Sequence, residues 1–190
     1  MLKDNLHKVQ TQIAEALSRR TETKLTGDKV TLVAVTKNHP VDVVLESLAL
    51  GVTNIGENRV QELVQKSGED AYRGAPVHFI GHLQTNKVRQ VVGRVDLIQS
   101  ADRRNLLEAL EKEAARQGIC QKVLLEVNIA GEESKSGFSP QDLWTVLEEF
   151  GRFSHLEAVG LMAIPPVSTH PGENLSLIHI SEPTRPRLIS

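Results

Sequence analysis

The apolar run Thr31-Leu-Val-Ala-Val-Thr36 ends on a lysine, Lys37. An amine at the end of a buried-type strand is costly to desolvate, and it has a definite chemical use. A desolvated lysine with a lowered pKa attacks an aldehyde carbon and forms a Schiff base. The alternative is a side chain that snorkels into solvent at the strand end, and the segment alone leaves both open. By period-two alternation Val33, Val35 and Lys37 share one face, and Leu32, Ala34 and Thr36 share the other.

Other residues of chemical type follow along the chain. Asn58, after Gly56-Glu57, suits a fixed hydrogen bond beside a ligand ring and equally suits a helix cap. His78 and His82 are four apart, but on a strand-to-loop segment that spacing does not put them on one face. No His-Glu-x-x-His occurs, so no metal site is expected. Gly131–Gly137, with Lys135 between Ser134 and Ser136, reads as a polar loop. Neither G-x-G-x-x-G nor a Walker sequence is present, so no glycine-rich phosphate loop is expected.

Composition narrows the classes further. Lys plus Arg is 22 against 24 for Asp plus Glu, a net charge of −2, which gives no electrostatic reason to expect nucleic acid or an anionic membrane. Four Phe, one Trp and one Tyr are too few for a base-stacking surface. The single cysteine, Cys120, excludes an internal disulfide and a Cys-rich zinc site. The N-terminus carries charge where a signal peptide has its apolar core, and no apolar run approaches the roughly 20 residues of a membrane span. A soluble cytoplasmic protein is expected.

Strands alternating with helices must position these residues. Leu2, Leu6, Val9, Ile13, Ala16 and Leu17 predict an amphipathic first helix. Strands are predicted at Val30–Thr36, Thr53–Gly56, Val77–Gly81, Asp96–Gln99, Lys122–Ile129 and Leu156–Met162. Helices are predicted between them at Val41–Ala49, Arg59–Lys66, near Asn86–Val92, at Arg103–Gln117 with Gly118 as its C-cap, and from Ser139-Pro140 to Gly151. Six strands with short connections imply an α/β fold with parallel strands, either a doubly wound sheet or a barrel. The unusual residues cluster at the C-terminal ends of strand after strand: Thr36-Lys37, Gly56-Glu57-Asn58, Gly81-His82, Gln99-Ser100, Asn128 and Met162. A TIM-type barrel gathers its chemistry in that way, whereas an open sheet concentrates it at one switch point, so the pattern favours the barrel.

Five ordered motifs carry a resemblance. They are Ala34-Val-Thr-Lys37; Ile55-Gly-Glu-Asn58 with Val60-Gln-Glu62; His78-Phe-Ile-Gly81 with Leu83-Gln-Thr-Asn-Lys87; Ser134-Lys-Ser-Gly137; and Gly160-Leu-Met-Ala-Ile-Pro165. Together, over residues 1 to about 170, the chain resembles the pyridoxal phosphate homeostasis protein family. The resemblance implies a (β/α)8 barrel related to the N-terminal domain of alanine racemase, binding pyridoxal phosphate through a lysine Schiff base. Lys37 matches that lysine, and Asn58, His78 and Met162 match motifs lining the cofactor side. Where family members often carry a second lysine, this chain has His39.

The function implied is a carrier that buffers pyridoxal phosphate and delivers it to recipient apoenzymes, without turnover, as a monomer or weak dimer. The rival is a racemase or decarboxylase on the same barrel. That chemistry needs bases on both faces of the cofactor ring, and the only tyrosine, Tyr72, reads as part of a polar helix–strand connection. Six strands fall short of the eight that close such a barrel. The stretch after Asn174, beginning Leu-Ser-Leu-Ile-His-Ile, has no helix or strand pattern and back-translates as a transposase sequencing adapter. Residues 1–174 are therefore expected to be a truncated pyridoxal-phosphate-binding barrel and 175–190 an artefactual, unstructured tail. The resemblance also implies that the family's phosphate-holding residues lie in the final third, so weak cofactor binding and exposed strand edges are expected.

Overall fold

The computed structural model describes residues 1–19, 29–129, 131 and 136–165. In chain order the elements are α1 (Leu2–Ser18), β1 (Val33–Val35), α2 (Val41–Ala49), β2 (Asn54–Glu57), α3 (Val60–Gly68), β3 (Val77–Phe79), β4 (Leu97–Ala101), α4 (Arg104–Gln117), β5 (Gln121–Glu126), α5 (Pro140–Glu149) and β6 (Leu156–Met162). Local chemistry sets the helix ends. The Ser139 hydroxyl accepts the Asp142 N–H at 3.1 Å, and Pro140 occupies the first turn of α5. Gly118 ends α4 in the left-handed region at φ 67°, which a side chain would disfavour.

All six strands pair in parallel in the order β1-β2-β3-β4-β5-β6. That order decides between the two architectures left open by the alternation. A doubly wound sheet reverses its strand order at a switch point, and here no reversal occurs. Successive right-handed crossovers instead put the helices on one face of a sheet that curls as a barrel wall. The described part is an open six-stranded arc.

The core lies between that wall and the helices. Ile55, Phe79, Ile98, Val123 and Leu125 point outward from the strands onto Val44, Leu63, Leu106, Leu107, Leu110 and Ala114 of the helices, all fully buried. The expected helix near Asn86–Val92 is instead a 3-10 turn, Thr85–Gln90. Gly93, at φ 76°, follows closely, and so short a run cannot offset the nucleation cost of an α-helix. β1 is shorter than expected, and Val30 is half exposed ahead of it. β5 ends at Glu126 because the returning loop takes over its hydrogen bonds: Phe138 N–H donates to Glu126 O at 2.7 Å, and Asn128 N–H to Phe138 O at 3.0 Å.

Among the described residues β1 and β6 are the sheet edges, and Val35, Val159, Leu161 and Ile164 are exposed. No described helix is long and apolar enough to cross a membrane. The expectation for Leu175–Ser190 lies outside the described residues.

Candidate functional site

The face of the wall opposite the helices can be read from near contacts. A Cβ on Gly56 would meet Val33 Cγ1 at 3.0 Å and Ile80 Cδ1 at 3.2 Å, so these three share the barrel interior. Period-two alternation then puts Val35 and Lys37, Asn58, and His78 on that same side. His78 lies deep on β3, where Gln99 Nε2 donates to its Nδ1 at 2.8 Å. That bond leaves the ring proton on Nε2, and burial pushes the imidazole below its usual range, with the Asp96 carboxylate opposing. At the C-terminal mouth a cleft of about 290 Å³ is lined by Asn58, Gly81, His82, Glu126, Asn128 and Met162, among others. The Asn58 Oδ1 is buried there with no hydrogen-bond partner among the described residues.

Lys37 stands on the rim of this mouth. Thr36 N–H donates to Gly56 O at 3.0 Å, which carries the β1–β2 pairing past the end of β1 and brings Lys37 level with Asn58. The chain then turns sharply. Asn38 adopts φ 62°, a conformation that asparagine tolerates better than most residues. Its N–H donates to Glu62 Oε2 at 2.7 Å, and Arg59 Nη1 donates to its Oδ1 at 2.8 Å. Burial works to raise the Glu62 pKa, but the Asn38 N–H and the Lys66 and Arg59 charges outweigh it and hold the carboxyl below its usual range. The Lys37 side chain is exposed.

Of the two alternatives that the segment left open, that exposure favours the side chain that reaches solvent. The buried amine is Lys66 of α3, whose Nζ lies 2.7 Å from both Glu57 Oε1 and Thr36 O. Tyr72 lies in the connection between α3 and β3, as expected, but not on its polar surface. It is buried between wall and helices, and its hydroxyl donates to Glu57 Oε1 at 3.3 Å. Burial and the Glu57 charge push its phenol well above the ordinary range.

Across the mouth, the Asp102 carboxylate is held by Arg103 Nη1 at 2.5 Å and faces His82 Nδ1 at 3.2 Å. Burial, with the Asp102 charge adding to it, raises the Glu126 carboxyl. Of the residues singled out in the sequence, the structure brings Asn58 and Met162 together in the cleft wall, with Lys37 on the adjoining rim and His78 beneath. Lys135 lies outside the described residues. Lys66, Asp102 and Glu126 escaped the sequence reading, and Glu57 entered it only as a strand-end neighbour of Asn58. Lys66 had a visible signal: it continues the three-residue stripe Val60, Leu63, Lys66 on the buried face of α3.

Comparison with known proteins agrees with this architecture. Residues 12–178 match the family described as alanine racemase, N-terminal domain. The chain is 41% identical over 140 residues to the pyridoxal phosphate homeostasis protein of Aquifex aeolicus, covering 74% of this chain and 61% of that protein. It is 36% identical over 166 residues to the protein of the same name from Haemophilus influenzae, covering 86% and 69% of the two. The structure of PipY from Synechococcus elongatus with PLP bound superposes with a TM-score of 0.75 at 30% identity, covering 95% of this chain and 78% of that one. The chain thus spans about six to seven tenths of the two curated relatives. A singly wound parallel wall, a lysine on its rim and these likenesses agree: the chain belongs to the alanine racemase N-terminal domain family, among the pyridoxal phosphate homeostasis proteins.

Proposed function

We propose that this chain binds pyridoxal phosphate and serves its intracellular homeostasis, holding the cofactor at the barrel mouth and passing it to apoenzymes that use it. The observation that carries this reading is the pairing of a solvent-accessible amine, Lys37, with the Oδ1 of Asn58 just past the next strand, which has no partner among the described residues, beside the cleft. The residues present fit the group. Lys37 would take its aldehyde, Asn58 and Met162 would line it, and the neutral His78 would lie below. When bound, the cofactor supplies an aldehyde that condenses reversibly with a primary amine. The protein's part is to orient that amine and to wall one side of the cleft with apolar Met162 and Ile164.

Binding without turnover is the reading that Tyr72 supports. Proton transfer on a bound amino acid needs a base within hydrogen-bond reach of the reacting carbon, and the Tyr72 hydroxyl instead faces Glu57 on the helix side of the wall. A cytoplasmic site of action accords with this role.

The test is reductive trapping. The protein is incubated with pyridoxal phosphate, treated with borohydride and mapped by peptide mass spectrometry. The expected result is one phosphopyridoxyl group on Lys37, absent from Lys37→Ala. Equal labelling of the variant, or labelling spread over surface lysines, would overturn the assignment. Chiral chromatography of alanine incubated with the loaded protein tests the second half: racemisation well above that of free cofactor would sink the carrier reading.

A further inference from the structure

Behind the Lys37 turn, on the helix side of the wall, lies a buried polar cluster of Thr36, Glu57, Lys66 and Tyr72. Glu57 Oε1 accepts from the Thr36 hydroxyl at 2.5 Å, from Lys66 Nζ at 2.7 Å and from the Tyr72 hydroxyl at 3.3 Å. The Lys66 ammonium has three donors. Two of them go to Glu57 Oε1 and to Thr36 O, each at 2.7 Å, and the Glu62 carboxylate faces the charge as an ion pair at 3.6 Å. An ammonium so engaged has no lone pair to offer an aldehyde, and the sheet separates it from the mouth.

Buried ion pairs are weak devices for stability, because desolvation offsets most of their attraction and a well-packed apolar pair does as well or better. What this pair contacts is therefore informative. Apart from the Tyr72 hydroxyl, its contacts lead to the residues flanking Lys37. Lys66 grips the Thr36 carbonyl, Glu57 grips the Thr36 hydroxyl, and Glu62, tied to Lys66 and Arg59, grips the Asn38 N–H at 2.7 Å. The residues on both sides of Lys37 are fixed from behind, so its side chain emerges toward the mouth.

We propose that Lys66 is a positioning residue for Lys37: through Glu57, Glu62 and the Thr36 carbonyl it clamps the 36–38 turn so that Lys37 alone meets the cofactor's aldehyde. The proposal rests on the assignment of Lys37 made above. The step it serves is balanced by the amine. The Lys37 nitrogen lone pair forms the C–N bond, and the carbonyl oxygen leaves as water with the two amine hydrogens.

The experiment uses the full chain and pyridoxal phosphate as probe, measuring the rate and position of borohydride-fixed label together with amide hydrogen exchange at Asn38. Wild type should carry label on Lys37 and none on Lys66. Lys66→Met/Glu57→Gln removes both charges together, so no lone charge stays buried. It should slow Lys37 labelling by about tenfold, as expected for losing a charged hydrogen bond that orients a reacting group. Its Asn38 amide should exchange at least about tenfold faster. Lys66→Arg, which keeps the charge and donors, should restore both to within about twofold of wild type.

If the double variant does not fold, Glu62→Ala reads the same clamp from its outer, partly exposed end, with labelling slowed about threefold. A folded variant of either kind with wild-type labelling and wild-type Asn38 exchange would overturn the proposal, as would label on Lys66 in the wild type. If wild type takes no label on Lys37, the function assignment fails on its own. Unchanged Asn38 exchange in the variants would then reject the clamp, and accelerated exchange reversed by Lys66→Arg would uphold it.

Discussion

Gly81→Ala offers a sharp test of how the cleft is built. A Cβ at Gly81 would lie 2.1 Å from the Asn58 carbonyl oxygen and 2.8 Å from both its carbonyl carbon and its Cα, all backbone atoms. Real Cβ atoms essentially never approach nearer than 3.0 Å, so the chain after β3 must retreat from β2 by roughly 0.9 Å. The Ile80 N–H to Glu57 O bond, at 2.9 Å, spans the same gap and would stretch beyond hydrogen-bonding range. Overpacking of about 1–3 kcal/mol and one lost hydrogen bond of about 1 kcal/mol together give a destabilisation of about 2–4 kcal/mol. With a urea slope of about 2 kcal/mol per molar, the unfolding midpoint should fall by about 1–2 M. Gly68→Ala, with nothing within 4 Å of the added carbon, serves as the control and should leave the midpoint within about 0.3 M. Displacement of Asn58 should also weaken pyridoxal phosphate retention about tenfold, the equivalent of one hydrogen bond. A Gly81→Ala protein within about 0.5 kcal/mol of wild type would refute the close approach on which the cleft wall depends.

Two further outcomes are expected. Because burial and Asp102 raise the Glu126 carboxyl, the fold favours its protonated form. Its contribution is therefore complete below the ordinary carboxylate pKa and is lost as pH rises through the raised value. Urea unfolding of wild type and Glu126→Gln over a pH series should show the variant gaining relative stability across that window, and parallel curves would contradict the assignment. Phe79→Ala, at a fully buried position in the core between wall and helices, should cost about 3–5 kcal/mol in the same assay, and a cost below about 1 kcal/mol would mean that the site is not packed as described.

Much of the architecture was legible because hydrophobic period and capping residues act locally. The α4 stripe of Leu106, Leu107, Leu110 and Ala114, its Gly118 cap, and the Ser139-Pro140 start of α5 each follow from a few neighbouring residues. Strand order was not legible from local pattern, since pairing is a long-range property; the spread of unusual residues along the strand ends and the family resemblance pointed to a barrel. At the site, motif spacing marked Lys37 and Asn58, but the burial of neither can be read from a strand pattern. Whether a strand-end lysine is buried depends on what crosses behind it, and here Lys66 of α3 takes the interior position. Tyr72 illustrates the same limit. Polar neighbours such as Asp70 and Arg73 made its segment look solvated, while Glu57, fifteen residues earlier, drew the hydroxyl inward.

The sequential strand order also shapes how the molecule comes into being. Each strand bonds to its immediate predecessor in the chain, as in Ala34 with Ile55, Ile55 with Val77, His78 with Leu97, and Lys122 with Glu157. Among the described strands each partner lies one strand–helix unit away, so loop-closure entropy is met in small instalments. A chain emerging from the ribosome can add one strand–helix unit at a time to a growing template. In that order, the segment bearing Glu57 and Lys66 docks on β1 as the first growth step. The turn that carries Lys37 is therefore set before most of the cleft around it exists.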